Sequence, residues 1–214
     1  YFCDQASWLA AMITGKPGIS DYHNALKLGY DVAVLSWPAW IKALGVENFL
    51  PKVVAPGAIL GKLAPAVAAK LDLPATCSVR TGTTDSIAAF IASGAHSPGT
   101  AVTSLGSTLV LKLLSTRRVE DARHGVYSHR FGDLWLAGGA SNSGGAALRQ
   151  FFDDAALANL SQQIDPSQDS GLDYYPLPSR GERFPINNPQ LVPRTTPQPD
   201  SDVAFLHGLL EGIA

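Results

Sequence analysis

Apolar and polar positions alternate in short, punctuated runs along this chain. Over 5–13, Gln5-Ala6-Ser7-Trp8-Leu9-Ala10-Ala11-Met12-Ile13 carries a helical pattern, with Asp4 placed to cap it and Gly15 and Pro17 placed to stop it. A polar loop is expected over 18–24. Over 37–45 a second short helix is expected, with Pro38 in its first turn, Gly45 at its end and Trp37 and Trp40 as core residues. Val53-Val54-Ala55-Pro56-Gly57 reads as an extended stretch ending in a turn, and the Ala-rich run over 63–71 as a helix closed by Leu73-Pro74. Cys77-Ser78-Val79 then looks strand-like. It leads through Gly82, Thr83 and Thr84 to Asp85, where an apolar helical pattern starts with Ile87, Ala88 and Phe90.

Beyond 93 the texture changes. Two β-rich runs, over 100–105 and 108–113, flank Gly106-Ser107 and predict a hairpin. A second hairpin is predicted over 126–130 and 134–137, around Gly132-Asp133. The segment over 138–145 (Gly138-Gly139-Ala140-Ser141-Asn142-Ser143-Gly144-Gly145) reads as a glycine-rich loop opening a helix over 146–152. The Pro-, Ser- and Gln-rich segment over 166–200 reads as a long irregular excursion, with a buried strand at Tyr174-Tyr175-Pro176-Leu177. An apolar helix closes the chain over 205–214. The segment over 94–99 has the composition of a connector, so the expected domains are 1–93 and 94–214.

Composition narrows the class. A chain of 214 residues buries a substantial core and forms one large domain or parts of two. Charged residues are only 16%, against 20 Gly and 15 Pro, a mixture that suits an α/β enzyme with many tight turns. The net charge of −2 gives no electrostatic footprint for nucleic acid or an anionic membrane. No apolar run approaches a membrane span, and no signal-peptide pattern opens the chain. Cys3 and Cys77, without CxxC spacing, read as free thiols of a reducing compartment, so a cytoplasmic location is expected. The chain starts on Tyr1 already inside a helical pattern and stops in an apolar helix, which leads us to expect a piece of a longer protein.

Several turns carry candidate chemistry. Asp85, after small residues and before a helix, has two roles open to it. It can cap the helix, the commoner role for an Asp so placed, or serve as a base at a cleft mouth. Gly106-Ser107-Thr108 can offer backbone N–H groups and hydroxyls to an anion, or be a plain hairpin turn. The pairs Gly138-Gly139 and Gly144-Gly145 frame a loop where backbone can approach a flat ligand, or a flexible loop. No GxxxxGK[ST], GxGxxG or GxSxG occurs, which leaves P-loop, Rossmann and Ser107- or Ser143-based hydrolase readings unsupported. The five histidines lack ligand spacing; His124 and His129 read as surface residues, and no zinc-type metal site is expected.

Taken in order, three blocks resemble the FGGY family of carbohydrate kinases. The segment over 82–89 is similar to the block holding the catalytic Asp. That over 98–108 is similar to the phosphate-binding hairpin, and that over 138–145 to the loop before the nucleotide-side helix. Asp4 to Gly15, the segment over 56–61 and Gly181-Glu182-Arg183-Phe184-Pro185 add to the resemblance, which is nearest the D-ribulose kinase and xylulokinase-like branch. It implies part of an actin-like, ribonuclease H-like two-domain α/β fold that closes on a sugar and Mg-ATP. Asp85 would contact the sugar and take the proton of its terminal hydroxyl. Gly106, Ser107 and Thr108 would line the phosphates, with Gly144 or Gly145 beside the ribose or adenine. Arg149 falls where relatives carry a nucleotide-side Gln. The acceptor implied is D-ribulose or D-xylulose, with glycerol or another polyol as the runner-up. The assembly expected is a monomer or homodimer without nucleic acid or membrane partners. The family's DxGT-type phosphate loop has no counterpart here, nor has its later Gly-rich adenine segment. An inactive fragment or pseudokinase that only binds sugar or a partner is therefore the alternative.

Overall fold

The computed structural model describes all 214 residues, Tyr1–Ala214. Two compact units emerge: Tyr1–Ala92 with His129–Gly132, and Ser93–Ser128 with Asp133–Ala214.

In the first unit, α1 (Gln5–Thr14) has the ends its sequence calls for. Asp4 accepts the Ser7 N–H at 2.9 Å and the Ser7 hydroxyl at 2.7 Å, and Gly15 ends the helix in the left-handed region at φ 70°. Its inward face is small and polar, with Ser7 and Thr14 buried. Trp8, Leu9 and Met12 point outward, 52%, 48% and 59% exposed. Residues 18–24 are not the polar loop expected. They form β1 (Ile19–Asp21) and the single turn α2 (Tyr22–Ala25), with Ser20, Asp21, Tyr22, His23 and Asn24 all buried. Burial is tolerated because the polar groups satisfy one another. Asp21 accepts the N–H groups of His23 (2.9 Å) and Asn24 (3.0 Å) and the Asn24 side-chain amide (2.7 Å), and the Ser20 hydroxyl donates to Asp4 at 2.9 Å.

A short helix α3 (Ala39–Lys42) follows Pro38 at its N-cap. Trp40 is 62% exposed, against the expectation of a core position, because Ile41 takes the one buried place on so short a helix. Trp37 is half-buried and donates its indole N–H to the Pro51 carbonyl at 3.3 Å. Strand β2 (Lys52–Val54) pairs in parallel with β1. Strand β3 (Ile59–Lys62), helix α4 (Pro65–Lys70) and strand β4 (Ser78–Arg80) follow, β3 and β4 pairing antiparallel. Leu63, Ala68 and Val79 make a small core there. Helix α5 (Asp85–Ala92) buries Ile87 and Phe90, and Phe90 meets Phe131 edge-on at 5.8 Å.

The second unit is built on β5 (Ala101–Leu105), β6 (Leu109–Ser115) and β8 (Leu134–Ser141), paired in the order β5-β6-β8, while β7 (Tyr127–Phe131) is divided, its residues from His129 on belonging to the first unit. Residues 138 and 139 lie within β8 rather than in a loop. A Cβ on Gly138 would fall 1.9 Å from the Leu111 carbonyl oxygen, and one on Gly139 2.2 Å from the Phe184 ring, so these glycines admit neighbours rather than bend the chain. Lys112 of β6 is 2% exposed, with its ammonium 4.7 Å from the centre of the Tyr127 ring, and burial pulls its pKa down to about 8.

Helix α6 (Gly145–Leu148) is one turn, shorter than the helix expected over 146–152. Helix α7 (Asp154–Ser161) was not expected; Asp153 caps it by accepting the Ala156 N–H at 2.7 Å. Helix α8 (Asp202–Ile213) packs Phe205, Leu206, Leu209 and Ile213 against Leu148 and Tyr174 in a hydrophobic core of this unit. The expected strand at 174–177 is absent. Tyr174, Pro176 and Leu177 are buried, but Pro176 has no N–H to donate, and pairing is limited to one bridge between Tyr175 and Arg194.

Candidate functional site

In the first unit, the turn from β4 to α5 is held by threonines. Thr81 donates its hydroxyl to the Ala55 carbonyl at 2.8 Å and accepts the Ala58 N–H at 3.0 Å. Thr83 Oγ1 lies 2.7 Å from His23 Nδ1. Thr84 takes the cap position, its carbonyl accepting the Ala88 N–H at 2.9 Å, while its hydroxyl is buried without a partner. Asp85 is therefore the first helical residue rather than the cap. It is exposed, and its Oδ1 accepts the Ser86 N–H at 2.7 Å.

Beside this turn lies a cleft of about 640 Å³ with Tyr22, His23, Pro56, Thr83, Ile91 and Phe131 among its walls. His23 is a residue that sequence reasoning passed over. Its Nε2 is 2.6 Å from the Arg130 carbonyl oxygen. Burial lowers its pKa, against the upward pull of the Arg130 carbonyl and the Asp21 charge. His129 is buried too, not at the surface, whereas His124 is exposed and lies 2.8 Å from Asp121.

In the second unit, the structure brings the two small-residue turns together. The Gly145 N–H donates to the Gly106 carbonyl at 2.8 Å and the Ala146 N–H to the Ser107 carbonyl at 3.1 Å. The Leu109 N–H donates to the Ser143 carbonyl at 3.0 Å. A Cβ on Gly144 would stand 2.8 Å from the Thr108 backbone, and one on Gly145 2.7 Å from the Gly106 oxygen. Gly106 and Ser107 remain exposed at the tip, where a Cβ on Gly106 would meet nothing nearer than 3.7 Å. The first N–H groups of α6 are thus spent on the hairpin, and the open surface belongs to residues 106–108. Arg149 is exposed and bonds Asp154 through Nε at 2.9 Å.

Behind these turns sits Glu182, buried. It accepts the Ser141 hydroxyl at 2.7 Å, the Asn142 N–H at 2.8 Å, the Arg183 N–H at 2.7 Å and the Tyr175 hydroxyl at 3.1 Å. Burial pushes its carboxyl up, but these donors together outweigh it and hold the pKa below 4.5. Burial and the Glu182 charge push Tyr175 up to about 12. Only the Gly181–Pro185 block pointed to this residue in the sequence. No group of three or more His, Cys, Asp or Glu is placed to hold a metal ion.

No protein-family model matches the chain. Solved structures do resemble it. A xylulose kinase from Brucella ovis superposes with a TM-score of 0.80 at 24% identity, over 97% of this chain and 45% of that one. A gluconate kinase from Lactobacillus acidophilus gives 0.81 at 18% identity, over 97% and 44%. A glycerol kinase from Plasmodium falciparum, solved with ADP, gives 0.72 at 17% identity, over 97% and 44%. The chain has the α/β fold of carbohydrate kinases and spans less than half the length of these three. No helix is long and apolar enough to cross a membrane.

Proposed function

We propose that this chain is part of an ATP-dependent sugar kinase of the FGGY type that phosphorylates the terminal hydroxyl of a pentulose, D-ribulose or D-xylulose. The observation that carries the reading is its fold, shared along nearly its whole length with sugar and polyol kinases. The order of the three FGGY-like blocks supports it as well. Asp85 is the base: its exposed carboxylate accepts the hydroxyl proton as the oxygen attacks the γ-phosphorus and ADP departs. Gly106, Ser107 and Thr108 face the phosphates, their exposed turn leaving room for an anion. Gly144 and Gly145 shape that turn from behind, and Arg149 lies on the nucleotide side. Magnesium would arrive with ATP and would supply neutralisation of phosphate charge; no residue of this chain is assigned to hold it.

The units divide near Ala92, and we assign the part before it to the sugar-binding domain and the part after it to the nucleotide-binding domain. The protein acts in the cytoplasm, as a monomer or homodimer. A second reading is a sugar- or partner-binding protein without turnover. ADP release by a polypeptide spanning the complete kinase fold, measured across pentulose, gluconate and glycerol acceptors, separates the readings. Acceptor-stimulated release supports the enzyme, and its absence with every acceptor supports binding alone.

A further inference from the structure

We propose that His23 is a positioning residue for the base, holding the turn that carries Asp85 through one fixed tautomer of its ring. This rests on the kinase reading above. The Arg130 carbonyl oxygen, 2.6 Å from Nε2, can only accept, so Nε2 carries the proton. In the neutral ring Nδ1 then holds a lone pair, and the Thr83 hydroxyl, 2.7 Å away, donates to it. Burial keeps the ring neutral.

One imidazole thereby ties together three distant segments: its own, Thr83 at 60 residues' separation and Arg130 at 107. Its mount is rigid, since its backbone N–H is held by buried Asp21 at 2.9 Å and the Tyr22 ring stands edge-on to it at 4.9 Å. The turn it grips needs such a hold. Thr81 anchors the near end through Ala55 and Ala58, but Gly82 has no side chain and no atom within 4 Å of where a Cβ would be. Between Gly82 and Asp85, Thr84 leaves its hydroxyl unpaired. The His23–Thr83 bond is thus the side-chain bond that fixes the last stretch before the carboxylate. A displacement of about 1 Å at a reacting group costs on the order of 100-fold in rate.

The test uses two isosteric variants, Thr83→Val and His23→Phe, in a polypeptide spanning the complete kinase fold. Each should lower kcat about 10- to 100-fold while the KM for ATP stays within about twofold. The double variant should lose no more than the worse single one, and Thr83→Ser should recover most of the rate lost in Thr83→Val. A Thr83→Val enzyme with undiminished kcat, or losses that multiply in the double variant, would overturn the assignment. The 214-residue chain gives a readout independent of turnover. Nitrogen NMR should find His23 with its proton on Nε2, and amide exchange over 82–86 should quicken in Thr83→Val. A proton on Nδ1, or unchanged exchange, would sink the lock even if the kinase reading stands. Absent ADP release from the wild-type enzyme would sink the kinase reading while leaving the lock to the NMR result.

Discussion

Gly144 and Thr108 meet backbone to backbone: a Cβ on Gly144 would stand 2.8 Å from both the Cα and the carbonyl carbon of Thr108. Gly144 is extended, at φ 174°, so its backbone conformation suits any residue. What excludes a side chain is the neighbouring turn. The contact, with the bonds from Gly145 and Ala146 to Gly106 and Ser107, fuses hairpin and helix start into one element.

Gly144→Ala should therefore destabilise the fold by about 1–3 kcal/mol, since the clash is with backbone that cannot swing aside. That corresponds to a fall in Tm of roughly 3–10 °C. Gly106→Ala, whose new methyl would make only an ordinary contact 3.7 Å from the Thr108 carbonyl oxygen, should stay within about 0.5 kcal/mol of the wild type. Thermal unfolding of the two variants side by side checks the contrast.

Glu182 should be the acid-sensitive fastener of the same region. Its folded pKa lies below the ordinary 4.5, so its stabilisation is complete above that value and is lost as pH falls through the folded pKa. Tm should drop as pH falls below 4.5, and less steeply in Glu182→Gln. Glu182→Ala should cost about 3 kcal/mol at neutral pH, because the buried Ser141 hydroxyl and the half-buried Asn142 N–H lose their acceptor. Denaturant titrations across pH read both effects.

Lys112 should give the same direction of pH dependence in an alkaline window. Below about 8 both folded and unfolded chains carry the charge, and folding bears the cost of burying it. Between about 8 and 10.5 only the unfolded chain stays protonated, so stability rises with pH. Lys112→Met should stabilise the protein by about 1 kcal/mol at pH 7. That gain should shrink towards pH 10.5, and urea unfolding at the two ends of the range measures it.

The residues divide clearly between what local pattern reveals and what it hides. Asp4 and Gly15 bounded α1 correctly because capping is decided within a few residues. The hairpin joining Leu105 to Leu109 was legible for the same reason. The buried knot around Asp21 and His23 was not. Its partners lie at separations of 16, 60 and 107 residues, and a polar run looks like a loop until those partners are known. Gly138 and Gly139 misled likewise, because the Leu111 carbonyl and the Phe184 ring, not a turn, require them. At the site, the sequence singled out residues 106–108 and 144–145 separately, and the structure joins them. It also moves the helix cap from Asp85 to Thr84, leaving the carboxylate exposed.

The central claim is that Asp85 takes the acceptor's proton. It is tested most directly by ADP release with D-ribulose and D-xylulose, in a polypeptide spanning the complete kinase fold, comparing wild type with Asp85→Asn. The account predicts a fall in kcat of at least about 100-fold, with the KM for ATP changed little. An Asp85→Asn enzyme that kept its rate within about twofold would contradict it.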